Sequence, residues 1–265
     1  MRHRTFPGAV CFLFIALIAS TSCNEDAQVI YPEVDPFDQV LAAYNVTVKL
    51  MNGNPGLSVS GYGDLSAVKL SVSDGILTIA LTSPASAQDA VVEIIHNDLE
   101  SVTGTQNSRV NFAADFTTTS PTLKVAAYNE ASIYSYYKIA ADTLDISVHD
   151  EAFVGFRQVE VSKNILNMGS SSLCFLEGSA TDQVIDMSDG CYYNLDETNS
   201  GWPLAGPLQS DHIWVSARNG AKAWVHATTY LNAMGTTGSI IYYKGDPDTI
   251  EEQMTNGAEL IQKEQ

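Results

Sequence analysis

The sequence predicts an all-β protein whose strands wind into a parallel β-helix with roughly 20 residues in each turn. Three observations favour this fold class. Apolar and polar residues alternate from Tyr44 onward, in short runs broken by Gly, Asn and Asp, which is the pattern of strands and turns. No amphipathic helical pattern occurs before the last twenty residues. A strand–corner–strand segment also recurs along the chain.

Residues 1–22 are predicted to be a lipoprotein signal peptide. Two arginines near the N-terminus precede an apolar run, Ala9–Ala19, and small residues follow directly before Cys23. That order is typical of a secretory signal, and the apolar run is too short to span a bilayer. The position of Cys23 predicts that it becomes the lipid-bearing N-terminus. An ordinary cleaved signal peptide is the alternative, because Ser20 stands where a lipoprotein signal usually has leucine.

Residues 23–36 are predicted to form an acidic tether, because they contain two prolines and no long apolar run. The segment Asn24-Glu25-Asp26 resembles the acidic tag that sends lipoproteins of Bacteroidota-type bacteria to the outer face of their outer membrane. The expected membrane contact is therefore a lipid on the N-terminus in the outer membrane, with the rest of the chain exposed at the cell surface.

The charge of the chain excludes one class of partner. The sequence has 13 basic and 31 acidic residues, a formal net charge of −18. Removing residues 1–22 takes away two arginines and no acids, which leaves 11 basic against 31 acidic residues and a net charge of −20. Nucleic-acid binding needs a basic surface, so no nucleic-acid partner is expected.

The repeat consists of a short alternating strand, a polar or glycine corner, a small residue and a second alternating strand. The predicted small residues are Ala131, Ala152, Cys174, Cys191, Ala221 and Ser239. They are separated by 21, 22, 17, 30 and 18 residues, and the longest interval contains residues 201–210, which are predicted to be an inserted loop. Polar corners fit tight bends, because Asn, Asp and Gly tolerate unusual backbone angles.

Alternation assigns the remaining side chains if the small residues point inward. The next inward positions are then mostly apolar, as the interior of a coil requires: Ile133, Val154, Leu176, Tyr193, Ala223 and Ile241. A β-sandwich is the competing architecture, because it also uses short alternating strands. The recurring corner with its small residue favours the coil.

Several stretches resemble the head GIN domain family of auto-transporter adhesins, which is common among lipoproteins of Bacteroidota-type bacteria. The likeness rests, in order, on PFDQVLAAYNVTVKLMNG, LSVSDGILTIAL, the corners NEAS and NGA, and GSIIYYKGDP. It covers residues 37–247 and implies a right-handed parallel β-helix on the cell surface, with no catalytic residues to carry over. The insertion at 201–210 and Leu173-Cys174 in place of the usual Gly-small corner depart from the family pattern.

The triplet His149-Asp150-Glu151 has the residue types of an acid–base cluster. It aligns, however, with Tyr128-Asn129-Glu130 and with Arg218-Asn219-Gly220 at other corners of the repeat. Catalysis needs a titratable group held beside a substrate. Because the equivalent corners lack such a triplet, His149-Asp150-Glu151 is interpreted as a solvated turn. No catalytic residue is therefore predicted.

Metal and cofactor sites are not expected either. The histidines that follow the predicted signal peptide lie far apart, without the paired spacing of zinc sites. Phosphate-binding glycine loops and the nucleophile elbow of hydrolases are absent from the sequence. The chain is accordingly predicted to be non-enzymatic.

Cys174 and Cys191 are predicted to occupy the same position on neighbouring turns. Stacked strands lie about 4.8 Å apart, which a disulfide can bridge, and an exported protein permits disulfides. The alternative is a pair of buried thiols that fill an inward row of small residues with Ala152 and Ala221.

The outward face after each small residue is predicted to carry aromatic residues: Tyr134, Phe153, Phe175, Tyr192 and Trp224. Phe153, Phe175 and Tyr192 are expected to stack as one column. Three interpretations remain for this face: it is covered by the Trp202-Pro203-Leu204 insertion, the N-terminal strands or the tail; it joins subunits of a homo-oligomer; or it is a platform for a glycan or protein partner.

Two further predictions concern the C-terminal tail, residues 248–265. Asp248-Thr249-Ile250 resembles an O-glycosylation site of such bacteria, which marks Thr249 and, less strongly, Thr143 in the similar Asp142-Thr143-Leu144. Asp248 also suits a helix N-cap, so a short helix closing the open end of the coil is expected, although Gly257 would interrupt it.

Together these inferences predict a non-enzymatic, lipid-anchored surface protein that serves in adhesion, envelope structure or partner binding. The alternative is a β-helix that binds or processes glycans. Two observations separate them: three or more convergent acids in a groove would favour the enzyme, whereas a flat aromatic face buried between subunits would favour assembly.

Overall fold

A computed structural model of the chain describes residues 27–83, 87–195 and 206–263. Among these residues there are twenty β-strands and a single 3-10 turn, Leu65–Ala67. The first ten strands are β1 Gln28–Ile30, β2 Gln39–Ala43, β3 Thr47–Met51, β4 Gly56–Gly63, β5 Val68–Ser73, β6 Ile76–Leu81, β7 Ala87–Ile95, β8 Ser101–Gly104, β9 Arg109–Phe112 and β10 Phe116–Thr117. The remaining ten are β11 Thr122–Ala127, β12 Ser132–Val148, β13 Phe153–Met168, β14 Leu173–Met187, β15 Tyr192–Tyr193, β16 Gln209–Ala217, β17 Lys222–Gly235, β18 Ile240–Lys244, β19 Thr249–Met254 and β20 Glu259–Gln262.

These strands form a β-solenoid of about seven turns, which confirms the predicted fold class. Strands β11 to β20 pair in parallel from each turn to the next. Long strands such as β12 and β13 run along more than one side of a turn, and their ladder is interrupted between Ser135 and Lys138. Each turn therefore has a first side before the corner, a second side after it, and a third side after the interruption.

The interior consists of rows of side chains that stack from turn to turn. One first-side row is Val125, Ile146, Leu166, Ile185, Val215 and Ala233, and all six are buried. The predicted inward positions from Ile133 to Ile241 are also buried, because strand alternation sends every second side chain into the coil. The core is thus continuous through the stacked turns.

The corners stack into a backbone ladder of their own. Asp150 and Glu151 have φ values of 58° and 60°, in the left-handed region. The N–H of Glu151 donates to the carbonyl of Ser170 at 3.0 Å, and the N–H of Glu130 donates to the carbonyl of Asp150 at 2.9 Å. Equivalent bonds join the neighbouring corners, so His149-Asp150-Glu151 is one corner of a repeated series.

The small residues after the corners form a row whose third member is Ser172. The N–H of Leu173 donates to the carbonyl of Ala152, and the N–H of Tyr192 donates to the carbonyl of Ser172, at 3.0 Å each. The predicted placement of Cys174 in this row is therefore wrong by two residues. A serine fits because its Oγ donates to the carbonyl of Val148 at 2.8 Å, which satisfies the buried hydroxyl.

The N-terminal end departs from simple sequential coiling. Strand β2 pairs with both β6 and β8, and β3 pairs with both β7 and β9. Strands β2 and β3 therefore insert between strands that come later in the sequence. Antiparallel strands finish this end: β4 pairs with β7, β5 with β6, and β1 with β4. Part of the segment predicted as a tether, Gln28–Ile30, is thus an edge strand, whereas Cys23 lies outside the described residues.

The C-terminal tail continues the solenoid, so the expected capping helix is not found in its described part. Strands β19 and β20 stack on β17 and β18 and are joined by one more corner at Asn256-Gly257. Thr249-Ile250 favours a strand, and Asn-Gly favours a tight corner over a helix. In the part of the chain that the structure describes, no helix is long and apolar enough to cross a membrane.

Candidate functional site

The predicted aromatic face lies on the second side of the solenoid, in two adjacent outward rows. One row is Ser132, Phe153, Leu173, Tyr192, Lys222 and Ile240. The other contains Tyr134, Gly155 and Phe175, and further along Trp224 and Tyr242. The expected single column of Phe153, Phe175 and Tyr192 is therefore wrong, because the two-residue shift at Ser172 puts Leu173 between Phe153 and Tyr192.

Phe175 does not offer its ring to a partner, because it is only 1% exposed. Its ring lies 5.9 Å from that of Phe153, and it pairs with Gly155, whose missing side chain leaves room on the same row. Phe153 and Tyr192 are half-buried. The Trp202-Pro203-Leu204 segment, named above as a cover for this face, lies outside the described residues.

Lysine side chains accompany the aromatic rings at the C-terminal end of this face. The Nζ of Lys263 lies 4.1 Å from the ring centroid of Tyr242 and 5.7 Å from that of Trp224. The Nζ of Lys222 lies 5.7 Å from the ring centroid of Tyr192. Such cation–π contacts partly occupy the rings, so this face is less open than the alternation alone predicts.

A second outward surface, on the first side of the coil, forms a groove that the sequence did not reveal. Its volume is about 500 Å³, and it is lined by His212, Trp214, Thr229, Tyr230, Asp248 and Thr249. Parallel pairing aligns His212 with Tyr230 and Tyr230 with Thr249 on three successive strands, β16, β17 and β19. We call this the Trp214 groove.

The rings of the Trp214 groove are arranged at angles to one another. The ring centroids of Trp214 and Tyr230 are 5.6 Å apart with an interplanar angle of 51°, and those of His212 and Trp214 are 6.1 Å apart at 40°. Trp214 lies on the outer face of the coil, where 38% of it is exposed. A partly exposed indole can contact a ligand without any change in the strands.

Hydrogen bonds hold the polar groups of the groove in place. The hydroxyl of Tyr230 donates to Oε2 of Glu251 at 2.9 Å, and the side-chain amide of Asn232 donates to the same oxygen at 2.8 Å. Nδ1 of His212 lies 2.9 Å from Oδ1 of Asp182, its neighbour on the adjacent strand. These bonds leave further lone pairs on both carboxylates for a ligand.

The triplet His149-Asp150-Glu151 does not form a cluster. The imidazole of His149 stacks on the ring of Tyr128 from the previous corner, with centroids 5.9 Å apart and an interplanar angle of 8°. Asp150 and Glu151 are exposed. Across residues 27–83, 87–195 and 206–263, no three His, Cys, Asp or Glu side chains converge in a way that could hold a metal ion.

Both cysteines of the coil are free and buried. Cys174 pairs with Val154 on one side and Tyr193 on the other, so it is not the register partner of Cys191. Burial raises the pKa of the Cys191 thiol to about 11 and raises that of Cys174 well above its usual value. Neither is a reactive thiolate at neutral pH.

The predicted modification sites differ in exposure. Thr249 is exposed and lines the Trp214 groove, whereas Thr143 is half-buried within β12. Their O-glycosylation stays a prediction.

A further groove of about 590 Å³ lies at the N-terminal end, between residues 32–37 and the strands that carry Leu57 and Ile95. Phe37 contacts His96 there, with ring centroids 5.2 Å apart.

The family described as "Putative auto-transporter adhesin, head GIN domain" matches residues 36–247. The chain belongs to the head GIN domain family. This confirms the resemblance stated from the sequence. None of the curated proteins compared matches the chain in sequence.

Solved structures share the head GIN fold along almost the whole chain. Two described as putative adhesins, from Parabacteroides merdae and Parabacteroides distasonis, have TM-scores of 0.72 and 0.74, each at 16% identity. They cover 91% and 90% of this chain and 98% of their own chains. A third, described as a "Putative lipid binding protein" from Parabacteroides distasonis, has a TM-score of 0.75 at 12% identity and covers 91% and 98%. Identities this low show the fold alone.

Proposed function

We propose that this head GIN protein is a non-catalytic adhesin, held at the outer surface of the cell by a lipid on Cys23, which binds its partner through an outward face of the rigid solenoid. The observation that carries the proposal is the display of half-exposed aromatic side chains on the outer faces of stacked strands. Aromatic rings supply large contact areas at low entropic cost, and they are enriched where proteins bind partners. The adhesin description of the family supports the same class of function.

The stacked architecture supports a binding role because it makes the surface rigid. Each outward side chain is anchored in a strand that is hydrogen-bonded on both sides along most of the coil. Rigid contact residues lose little conformational entropy when they bind. The alternative, glycan processing, needs convergent acids or a nucleophile, and the adhesin description of the family favours binding instead. Asp182 and His212 contact each other as register neighbours on adjacent strands.

The adhesion proposal is tested on cells that produce the full chain, the chain with Cys23→Ala, or no chain. Cells with the full chain are expected to adhere to surfaces coated with glycoprotein, and Cys23→Ala cells to lose adhesion together with lipid labelling of the protein. Equal adhesion with and without the full chain would contradict the proposal. Retention of lipid label in Cys23→Ala would contradict the anchor alone.

A second experiment separates subunit assembly from partner binding on the Phe153 and Tyr192 row. Tyr192→Asp is compared with Ser132→Asp. Ser132 belongs to the same outward row and lies three turns from Tyr192 toward the N-terminal end of the coil. If this row joins subunits, Tyr192→Asp alone lowers the mass measured by sedimentation. If it binds a partner, adhesion falls at unchanged mass. No effect on either would remove this row from the function.

A further inference from the structure

We propose that the Trp214 groove is a binding site for a neutral saccharide, contacted by Trp214 and Tyr230 through ring stacking and by the surrounding polar groups through hydrogen bonds. The inference rests on the proposed adhesin function and names the ligand class of one surface. It differs from the predicted aromatic face, which lies on the other side of the corner.

The aromatic part of the groove suits the face of a pyranose ring. One face of a hexose carries several C–H groups in one plane, and such a face packs against the electron-rich face of an aromatic ring. Trp214 is the residue for this contact, because it is 38% exposed and the rings of Tyr230 and His212 lie 5.6 and 6.1 Å from its own. These two rings are tilted by 51° and 40° against the indole, so a sugar on the indole would also meet them.

The polar part of the groove offers donors and acceptors together. Thr229, Tyr230 and Thr249 carry hydroxyls, and Asp248 lines the groove beside them. Glu251 accepts bonds from Tyr230 and Asn232 on one oxygen, Oε2. A sugar hydroxyl both donates and accepts, so it can use the hydroxyl and the carboxylate groups. A simple cation would have no use for the hydroxyl donors.

The charge of the groove favours a neutral ligand. Among the described residues that line it, none is lysine or arginine, and the nearby carboxyl groups are those of Asp182, Asp248 and Glu251. The nearest basic side chain along β16, Arg218 after its end, is paired with Asp186 through bonds of 2.8 and 3.4 Å. Uronic, sialic or sulfated sugars would therefore meet carboxyl groups and no lysine or arginine in the lining, whereas a neutral sugar carries no charge to be repelled.

The groove is also preorganised. Its residues come from β16, from β17 and from the start of β19, whose register is fixed, and the hydroxyl of Tyr230 is already bonded to Glu251 and Asn232 beside the groove. Its volume of about 500 Å³ lies within the range of roughly 300–1,000 Å³ typical of small-ligand sites. A preformed site of this size needs little rearrangement to bind one or two sugar units.

The test measures binding of the purified full chain to neutral hexasaccharides of glucose, mannose, galactose, xylose and N-acetylglucosamine by calorimetry. Production in a host without Thr249 glycosylation keeps the groove free. At least one neutral series is expected to bind, and Trp214→Ala is expected to weaken its Kd by roughly tenfold or more. Tyr137→Ala, at a tyrosine that is 48% exposed elsewhere, is the matched control and is expected to bind as the native chain does.

Tyr230→Phe guards against a misfolded Trp214→Ala variant, because it keeps the ring and removes only the hydroxyl bonded to Glu251. It is expected to weaken binding severalfold while circular dichroism and the Tm stay close to native. Failure of every neutral series to bind, or native affinity in both groove variants, would overturn the proposal. Tighter binding of oligogalacturonate or of oligolysine would overturn the ligand class.

Adhesion distinguishes this proposal from the proposed function on which it rests. If cells with the Trp214→Ala chain adhere as well as native cells while cells without the chain do not, the groove proposal fails and the adhesin function stands. If cells with and without the chain adhere equally, the adhesin function fails whatever the sugar binding shows.

Discussion

The side-chain amide of Gln183 donates a hydrogen bond of 2.7 Å to the phenol oxygen of Tyr193 inside the solenoid. The same Nε2 lies 3.1 Å from Oδ1 of Asn164, whose own amide donates to the carbonyl of Leu144 at 3.2 Å. All three side chains are buried. Because Asn164 and Gln183 occupy the row of Leu123, Leu144 and Ile213, a polar chain replaces two aliphatic members of that row. Oε1 of Gln183 has no hydrogen-bond partner among the described residues.

The first prediction concerns this buried polar chain. Tyr193→Phe removes the acceptor of Gln183 and leaves a buried N–H less well satisfied, so the free energy of unfolding should fall by about 1–2 kcal/mol. Urea denaturation followed by circular dichroism measures the change. The matched control is Tyr62→Phe on an exposed tyrosine, which should change stability by less than about 0.5 kcal/mol.

Removing the whole polar chain should have the opposite effect. The triple variant Asn164→Leu, Gln183→Leu and Tyr193→Phe replaces every member by an apolar group that matches its row. Such replacements of buried polar networks are often neutral or stabilising, because no desolvated group is left unpaired. A triple variant less stable than Tyr193→Phe would contradict this account of the row.

The second prediction is a pH dependence centred on Cys191. Burial raises the pKa of its thiol to about 11 from the usual 9.0, so the folded state holds the proton more tightly than the unfolded state. The resulting stability is fully present below pH 9 and is lost as the pH rises toward about 11. Cys191→Ala should flatten this decline, and alanine fits because Ala152 and Ala221 belong to the same row.

The measurement is the free energy of unfolding in urea at pH 8.0 and at successive values up to 10.5, for the native chain and for Cys191→Ala. The native chain should lose more stability over this interval, by about 1–2 kcal/mol. Parallel slopes for the two proteins would show that the Cys191 thiol is not desolvated. Labelling by iodoacetamide at pH 8 should also stay slow until the chain unfolds.

The repeat could be predicted from the sequence because every turn shows the same local pattern of strand, corner and small residue. The corner at His149-Asp150-Glu151 and the inward Val154 follow from that pattern. The register at Ser172 did not follow, because Ser172 and Cys174 are both small and both lie on the inward side of an alternating strand. The spacing carried the signal: Ser172 gives intervals of 20 and 19 residues to its neighbours Ala152 and Cys191, more even than those of Cys174.

The Trp214 groove could not be predicted in the same way. It requires the registers of β14, β16, β17 and β19 at once, and the interval of 30 residues between Cys191 and Ala221 departs from the period near 20. The insertion of β2 and β3 between later strands was hidden for a related reason. Local alternation shows that a segment is a strand, but pairing between distant strands depends on contacts that leave no periodic trace.

The third prediction tests the corners. Gly220 has a φ of +74°, and a Cβ there would meet nothing within 4 Å among the described residues. Gly220→Ala should therefore cost about 1–2 kcal/mol through backbone conformation alone. Glu151, at φ 60°, is a non-glycine residue in the same conformation. Glu151→Gly should stabilise the fold by up to about 1 kcal/mol, because it relieves that strain.

Thermal and urea unfolding of both variants measure these corner effects. Asn167→Gly, at an exposed position of β13 that is paired on both sides, is the control and should destabilise, because glycine weakens an ordinary strand. If Glu151→Gly destabilised the protein as much as Asn167→Gly does, the side chains of the His149-Asp150-Glu151 corner would have a role beyond turning the chain.

The fourth prediction concerns the exposed edge at the C-terminal end of the coil. Glu252 on β19 is the last member of the inward row that contains Val215 and Ala233, and it is exposed because no turn follows it there among the described residues. An inward-pointing charge at an edge opposes stacking of a second copy, which would bury that charge unpaired. Glu252→Val should therefore promote self-association. Sedimentation equilibrium should show a mass that rises with concentration more steeply than for the native chain.

Gln253→Val, which adds the same side chain to the outward row of the same strand, should leave the mass close to native. If Glu252→Val sedimented as the native chain does, the charge of Glu252 would not be what ends the stack.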